Sequence, residues 1–176
     1  MSCPSSPLLA SSEAALVAAA SEVAENSLFA FVDSSDLDAF RVSTDAAWTI
    51  ARVGLTGPTR GEFQVTAPEA LMRTLCAAFI GTDASEEISA GAVMDFAGEL
   101  ANMICGAWLT RVVPHASFDL TAPLVVRRDG HHVHQEPASD TDSSTCYVSI
   151  DESPVRLRIL GGPVAVVAGH GVPDAR

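Results

Sequence analysis

Three polar side chains in residues 94–106, MDFAGELANMICG, have residue types and a spacing that could do chemistry. Successive residues of a helix are rotated by about 100°, so Asp95, Glu99 and Asn102 fall with Gly106 within an arc of roughly 60°. A carboxylate can bind a cation, and an amide carries a donor and an acceptor in one rigid group that can orient a water molecule. We call these four residues the polar stripe and interpret it as a candidate functional site.

The alternative interpretation is that the polar stripe is only the solvated side of an amphipathic helix, which is the common role of such a side. A solvated side favours Lys, Glu, Arg and Gln, whereas this one contains an Asn, a residue of poor helix propensity. In addition, Gly98 and Gly106 flank the polar residues and each lowers helix stability by about 1 kcal/mol. Their presence indicates room for a close-approaching partner.

The helix that carries the stripe is predicted to extend from about Ile88 to Val112, because its pattern is helical throughout and Pro114 follows. Apolar residues cluster on the side opposite the stripe, and we expect that side to pack on a sheet. They are Met94, Ala97, Ala101, Ile104, Cys105 and Trp108.

Two further helices are predicted. The hydroxyl of Ser12 can cap a first helix whose apolar residues continue to Phe31. Pro68 stands at the first-turn position of the other, and Gly81 ends it. Residues 1–11, rich in Ser and Pro, are predicted to be a disordered lead.

Strand patterns surround these helices. Residues 47–57 and 61–68 alternate in polarity around a Gly-Pro turn and predict an antiparallel hairpin. Three more strands follow the stripe helix, within residues 118–130, 145–151 and 155–160. The combination predicts an α+β domain over residues 12–160, an antiparallel sheet packed with helices. Residues 161–176 follow; a terminal strand is the alternative there, and a C-terminal tail is our prediction.

Composition excludes several function classes. The chain has 176 residues, of which 48% are hydrophobic and 18% charged, enough for one substantial core. Its formal net charge is −12 and all ten basic residues are Arg, which argues against a nucleic-acid or anionic-membrane partner. Because the chain contains no Lys, a Walker A lysine, a Schiff-base lysine and a lysine general base are excluded on this chain.

Targeting signals and cysteine usage point to the cytoplasm. No window reaches the roughly 18 apolar residues that a membrane span needs, and no basic residue precedes Arg41, unlike in a signal peptide. The cysteines Cys3, Cys76, Cys105 and Cys146 form no CxxC pair. Cys76 and Cys105 stand among apolar residues and are predicted to be buried, reduced thiols in a soluble, cytoplasmic protein.

Three histidines, His131, His132 and His134, form a second constellation, because imidazoles at such spacing can bind a transition metal. In a strand, His132 and His134 would share a face while His131 points away. Asp129 and Glu136 could complete such a site. The alternative, an exposed His-rich hairpin with no metal, is the commoner case and is our prediction.

The segment DFAGELANMICG resembles the signature of the CheC/CheX/FliY family of chemotaxis phosphatases, in which an Asp or Ser, three residues, a Glu, two residues and an Asn are followed some twenty residues later by a Pro. The matching residues are Asp95, Glu99, Asn102 and Pro123. GELANMICG is close to the CheX branch, and the order of helix, hairpin, helix, motif helix and strands is similar over about residues 13–160. The resemblance implies the CheX-like fold.

The resemblance also implies a reaction, hydrolysis of the aspartyl-phosphate on a response-regulator receiver domain such as CheY, in two-component chemotaxis signalling. Glu99 would bind the receiver's active-site lysine, and Asn102 would hold the attacking water in line. The receiver would supply Mg²⁺, so the chain would need no cofactor, metal or nucleophile of its own.

Further expectations follow from the resemblance. It implies a homodimer, and a single active site because residues 22–26 lack the Glu, two residues, Asn spacing. Asp95, Gly98 and Pro123 are candidate supporting residues, and Met103, at the edge of the stripe, is a candidate apolar docking contact. The alternative function is a noncatalytic module of the same fold that binds a response regulator or a switch component. The presence of both the Glu and the Asn of the motif favours the enzyme.

Overall fold

The computed structural model describes residues 7–41, 47–83, 87–135 and 143–161, and within them an antiparallel sheet of seven strands forms the centre of the molecule. The strands are β1 Val32–Ser34, β2 Ala47–Thr56, β3 Arg60–Pro68, β4 Asp119–Leu120, β5 Leu124–Asp129, β6 Ser143–Ile150 and β7 Ser153–Gly161. The helices are α1 Pro7–Val23, α2 Leu37–Arg41, α3 Glu69–Ile80, α4 Ala90–Val112 and α5 Gly130–Gln135.

The sheet has the strand order β1-β6-β7-β3-β2-β4, and every pair is antiparallel. Two strands share the outer edge of β2. β5 pairs with residues 47–52 of β2, and β4 pairs with Leu55 and Thr56. The three residues between β4 and β5 therefore run along the edge of β2, between the two places where it is paired. The helix α4 packs against β2 and β5 at this edge.

The two faces of the sheet differ in what covers them. The helices α1, α3 and α4 bury one face in the main core, to which Val53, Phe63, Leu100 and Trp108 contribute. A smaller cluster lies on the other face, where residues of α2 and α5 meet two side chains of β2. Its buried members are Phe40, Trp48, Ile50 and Val133. The predicted α+β architecture is confirmed.

The hairpin and the second helix are also confirmed. β2 and β3 pair from Trp48 opposite Pro68 to Thr56 opposite Arg60. Pro68 immediately precedes α3, and Gly81 ends it with φ 71°, a left-handed conformation that favours glycine. These boundaries were predictable because each is set by the local chemistry of one residue.

The first helix differs from the prediction at both ends. It begins at Pro7, because a proline at the first helical position loses no hydrogen bond, so residues 7–11 are helical rather than a disordered lead, and Ser12 is buried inside the helix rather than its cap. A π-helical turn, Ala24–Leu28, follows α1, and Phe29 then leaves the helix with φ 55°. Phe31, which we expected on the apolar helix side, is 74% exposed.

The later part of the chain requires two more corrections. The predicted strand at 118–130 is divided into β4 and β5, and the histidines lie in the short helix α5 rather than in a strand or hairpin. Residues 1–6, 42–46, 84–86, 136–142 and 162–176 lie outside the described residues. Most of the predicted lead and nearly all of the predicted C-terminal tail are among them, while Gly161 is the last residue of β7.

Candidate active site

The polar stripe lies along α4. Ser89 caps this helix, since its hydroxyl oxygen accepts a hydrogen bond from the Ala92 backbone N–H at 3.1 Å. The opposite side of the helix packs on the sheet, as predicted, and buries Ala97, Ala101 and Trp108. Asp95 and Glu99 are exposed, and Asn102 is partly buried.

The stripe forms one wall of a shallow, solvent-open depression of about 220 Å³, which we call the site depression. The end of the β4–β5 connection and the start of β5 form the other wall. Its lining residues are Met94, Asp95, Gly98, Glu99, Asn102, Pro123 and Val125. The fold thus places Pro123 beside the motif helix. Met103 does not line the depression and packs partly on the main core.

Gly98 explains how Pro123 comes so close. A Cβ at residue 98 would lie 2.9 Å from Pro123 Cβ and 3.3 Å from Pro123 Cγ, closer than such atoms pack. It would also lie 3.5 Å from Val125 Cγ2. The close-approaching partner that the sequence indicated for Gly98 is therefore a segment of the same chain.

Pro123 is held at this distance from both sides. Thr121 exchanges two hydrogen bonds with Gly54: its N–H donates to the Gly54 carbonyl at 3.0 Å, and its hydroxyl accepts from the Gly54 N–H at 2.9 Å. On the other side, Val125 is fixed opposite Ala51 by the pairing of β5 with β2. The wall of the site depression is therefore anchored to the central hairpin.

The amide of Asn102 has an unused acceptor. Its Oδ1 atom is buried and has no hydrogen-bond partner among the described residues. A buried acceptor without a partner is costly. If the amide rotates toward the site depression, Oδ1 therefore loses no hydrogen bond to the described residues. A water molecule in the depression could then donate a hydrogen bond to this oxygen.

The charges in the site depression are both negative. Asp95 and Glu99 are separated by one helical turn, and neither carboxylate has an ion-pair partner among the described residues. Nearby arginines are paired elsewhere, since Arg127 contacts Glu69, and Arg111 contacts Glu22. Like charges at this spacing destabilise a helix by about 0.2–0.5 kcal/mol, so a cation that binds here would relieve the repulsion.

The cysteines are not placed for nucleophilic chemistry. Cys76, Cys105 and Cys146 are buried and unpaired, which confirms the prediction for the first two. Burial raises the pKa of the Cys105 and Cys146 thiols to about 12, so they are protonated at neutral pH. Cys3 lies outside the described residues.

The histidine segment lies on α5, away from the stripe. His131 and His132 are exposed, while His134 packs edge-on against Phe40 and Trp48. His132 Nδ1 lies 2.7 Å from Asp129 Oδ1, and this hydrogen bond lowers the pKa of Asp129. No group of three His, Cys, Asp or Glu side chains in the described ranges could hold a metal ion; Glu136 is outside those ranges.

Two lining residues, Met94 and Val125, were missed by sequence reasoning. Met94 was assigned to the apolar side of the helix, but it borders the site depression because that side extends around to β5. Val125 carried a usable signal, since alternation along a strand puts it on the same side as Pro123.

Comparison with known proteins identifies the family. The family model "Chemotaxis phosphatase CheX" matches residues 49–149, more than half of the chain. This protein belongs to the CheX family. The match contains all of the lining residues of the site depression. A search of curated proteins gave no match.

Solved CheX structures share the fold. CheX from Vibrio vulnificus is similar with a TM-score of 0.62 and 18% identity, over 85% of this chain and 98% of that chain. CheX from Desulfovibrio desulfuricans gives 0.63 and 18%, over 85% and 97%. A chain of the CheX–CheY–BeF₃–Mg²⁺ complex from Borrelia burgdorferi gives 0.58 and 16%, over 84% and 95%.

None of the helices in the described part of this CheX-family chain has the length and apolar character needed to cross a membrane.

Proposed function

We propose that this CheX-family protein hydrolyses the aspartyl-phosphate of a CheY-type receiver domain, with Glu99 docking on the receiver's lysine and Asn102 positioning the attacking water. The observation that carries this proposal is the amide oxygen of Asn102, which has no hydrogen-bond partner among the described residues. It lies one turn from the Glu99 carboxylate in the same depression. Family membership and the Borrelia burgdorferi complex support a receiver as the partner.

Glu99 suits the docking role because its carboxylate is exposed and has no ion-pair partner in the described ranges. A receiver lysine that approaches it forms a charge-assisted hydrogen bond without displacing an existing one. The neighbouring carboxylate of Asp95 adds to the attraction. The negative charge of the chain also favours encounter with a lysine presented by the partner.

Asn102 suits the positioning role because its oxygen can accept a hydrogen bond from a water O–H and so turn the water's lone pair toward phosphorus. A bond forms from the water oxygen to phosphorus while the bond to the receiver's carboxylate oxygen breaks, giving inorganic phosphate and the free carboxylate. Positioning of this kind supplies part of the barrier reduction. A contribution of about 3 kcal/mol corresponds to roughly a hundredfold in rate.

In this division of labour the receiver supplies Mg²⁺, its lysine and the phosphorylated Asp, and the chain supplies Glu99 and Asn102. The partner's acyl-phosphate would lie beside Pro123, which limits the space around the water.

The test is loss of phosphate from a CheY-type receiver labelled on its Asp, with the wild type, Glu99→Ala and Asn102→Ala. Matched controls are Glu25→Ala and Asn26→Ala, which remove the same residue types from exposed positions of the π-helical turn. We expect acceleration by the wild type and both controls, and large losses in the two site variants.

The outcomes separate enzyme from binding module. If the wild type does not accelerate phosphate loss above the receiver's own rate, the catalytic proposal fails. Loss of receiver binding in Glu99→Ala, with no change of rate in Asn102→Ala, would instead support a noncatalytic module that binds the receiver.

The predicted homodimer remains a prediction. Sedimentation velocity tests it, since a dimer would sediment as a particle of twice the 18.3 kDa chain mass.

A further inference from the structure

The two glycines of the stripe helix have different surroundings. A Cβ on Gly98 would meet Pro123, whereas one on Gly106 would meet no described atom within 4 Å beyond its chain neighbours and its own helix backbone. A glycine inside a helix lowers its stability. The tight contact with Pro123 explains why residue 98 is a glycine. Residue 106 has no such contact with the described residues, so its glycine needs another explanation.

Gly106 lies at the wall of a second depression, of about 330 Å³, at the carboxyl end of α4. The helix contributes Leu109 and Val113 to its lining, and the chain that follows contributes Phe118 and Leu120. None of the described residues that line it is charged, so it suits an apolar side chain and disfavours a charged one.

The second depression lies beyond the site depression along the same helix, α4. Asn102 and Gly106 are one helical turn apart, about 6 Å along the axis, and both belong to the polar stripe. Residues 117–125 run back along α4, so Phe118 and Leu120 line one depression while Pro123 and Val125 line the other. A partner seated on Glu99 and Asn102 would reach Gly106 by extending one further helical turn along α4.

The wall of the second depression is preformed. Phe118 packs on the main core and lies so close to the β2–β3 turn that a Cβ on Gly57 would be 2.9 Å from Phe118 Cδ1. Leu120 is fixed opposite Leu55 by strand pairing. A preformed, mostly apolar depression with an open glycine at its wall limits the ordering cost of binding.

We infer that the second depression docks an apolar side chain of the same receiver domain that presents its phosphoaspartate to Asn102, and that Gly106 is a specificity-determining residue which leaves room for it. This inference rests on the proposed function for the identity of the partner. The receiver is the occupant because α4 and residues 117–125 line both this depression and the site depression, on which its lysine and phosphate would lie. The recognition is apolar and separate from the polar contacts of the site depression.

The experiment fills the depression. Gly106→Leu adds a side chain whose Cβ meets no described atom within 4 Å beyond its chain neighbours and its own helix backbone. Gly106→Ala adds only that methyl group, and Ala18→Leu adds the same leucine at an exposed position of α1. Binding is measured by calorimetry with a CheY-type receiver held in its activated form by beryllium fluoride and Mg²⁺. We expect Gly106→Leu to raise the Kd at least about tenfold, Gly106→Ala to raise it less than about threefold, and Ala18→Leu to leave it unchanged.

An unchanged Kd in Gly106→Leu would overturn the inference. So would a change of oligomeric state without a change of receiver binding, because the occupant would then be a second copy of the chain. The proposed function fails separately, since it is judged by the phosphate-release rate of Asn102→Ala. If the wild type binds no activated receiver, both are overturned. Circular dichroism and thermal melting confirm that each variant is folded.

Discussion

The two depressions along α4 share one helix side and one opposing segment, but they differ in chemistry. The site depression contains two carboxylates and an amide, and Pro123 closes it against Gly98. The second depression has no charged lining residue and is open at Gly106. The same residue type, a glycine in mid-helix, thus admits a segment of the chain at one position and leaves a surface free at the other.

The first prediction concerns the site depression, which Pro123 closes against Gly98. Gly98→Ala should push Pro123 toward the site depression, because Thr121 and β5 hold its two sides. Asn102 lies nearer to Pro123 around the helix than Glu99 does, so we expect kcat for phosphate release to fall about tenfold, about 1.4 kcal/mol of barrier, while the Kd for the receiver changes little. Gly91→Ala is the control, since its added Cβ meets only Ser89 Oγ at 3.9 Å. Equal losses of kcat in Gly98→Ala and Gly91→Ala would contradict a role for the position of Pro123.

A stability measurement compares the two glycines directly. Gly98→Ala adds a methyl group to a filled space, which costs about 1–3 kcal/mol and exceeds the gain of about 1 kcal/mol in helix propensity. Gly106→Ala keeps that gain without a clash. In urea titrations the free energy of unfolding should therefore fall for the first variant and rise for the second. Changes of the same sign would show that the surroundings of the two glycines do not differ as described.

Asp95→Asn tests how the charge of the site depression acts. The variant keeps the shape and removes one of two like charges, so docking of a cationic receiver lysine should weaken by about twofold to fivefold. The loss should shrink as salt is added, because exposed charges are screened. Binding titrations at low and high ionic strength measure it. A salt-independent loss would mean that Asp95 acts through structure.

The last prediction concerns two buried cysteines, for which we expect no reaction. Since burial raises the pKa of Cys105 and Cys146 to about 12, their thiols should stay unreactive toward a disulfide reagent at pH 8 in the folded protein. The measurement is the rate of thiol labelling in a Cys3→Ser variant, and the unfolded protein is the control. Fast labelling of Cys105 in the Gly98→Ala variant would show that α4 opens. It would contradict the expectation that this substitution only displaces Pro123.

Local chemistry made part of this fold predictable. Pro68 and Gly81 bound α3, and the alternation of β2 and β3 identifies the hairpin. The short helices α2 and α5 carried a similar local signal that we missed. Asp36 and Asp129 each accept a hydrogen bond from the backbone N–H three residues later, at 2.8 and 3.1 Å, as helix-capping residues do.

The contacts of the site depended on distant pairing and could not be predicted. Helical spacing put Asp95, Glu99 and Asn102 on one side of α4, and the resemblance added Pro123. Its contact with Gly98 follows from the register of β5 on β2, in which paired residues are 72 to 82 positions apart in the chain. The same holds for Met94, whose surroundings depend on how α4 is rotated against the sheet edge.

The most direct test of the central claim is a single-turnover measurement of phosphate loss from a labelled receiver, at rising concentrations of the wild type, Asn102→Ala and Asn26→Ala. If Asn102 positions the water, its variant should reach a plateau rate about a hundredfold lower with the same half-saturating concentration, and Asn26→Ala should match the wild type. A plateau equal to the wild type, reached only at higher concentration, would make Asn102 a binding residue and would contradict the account.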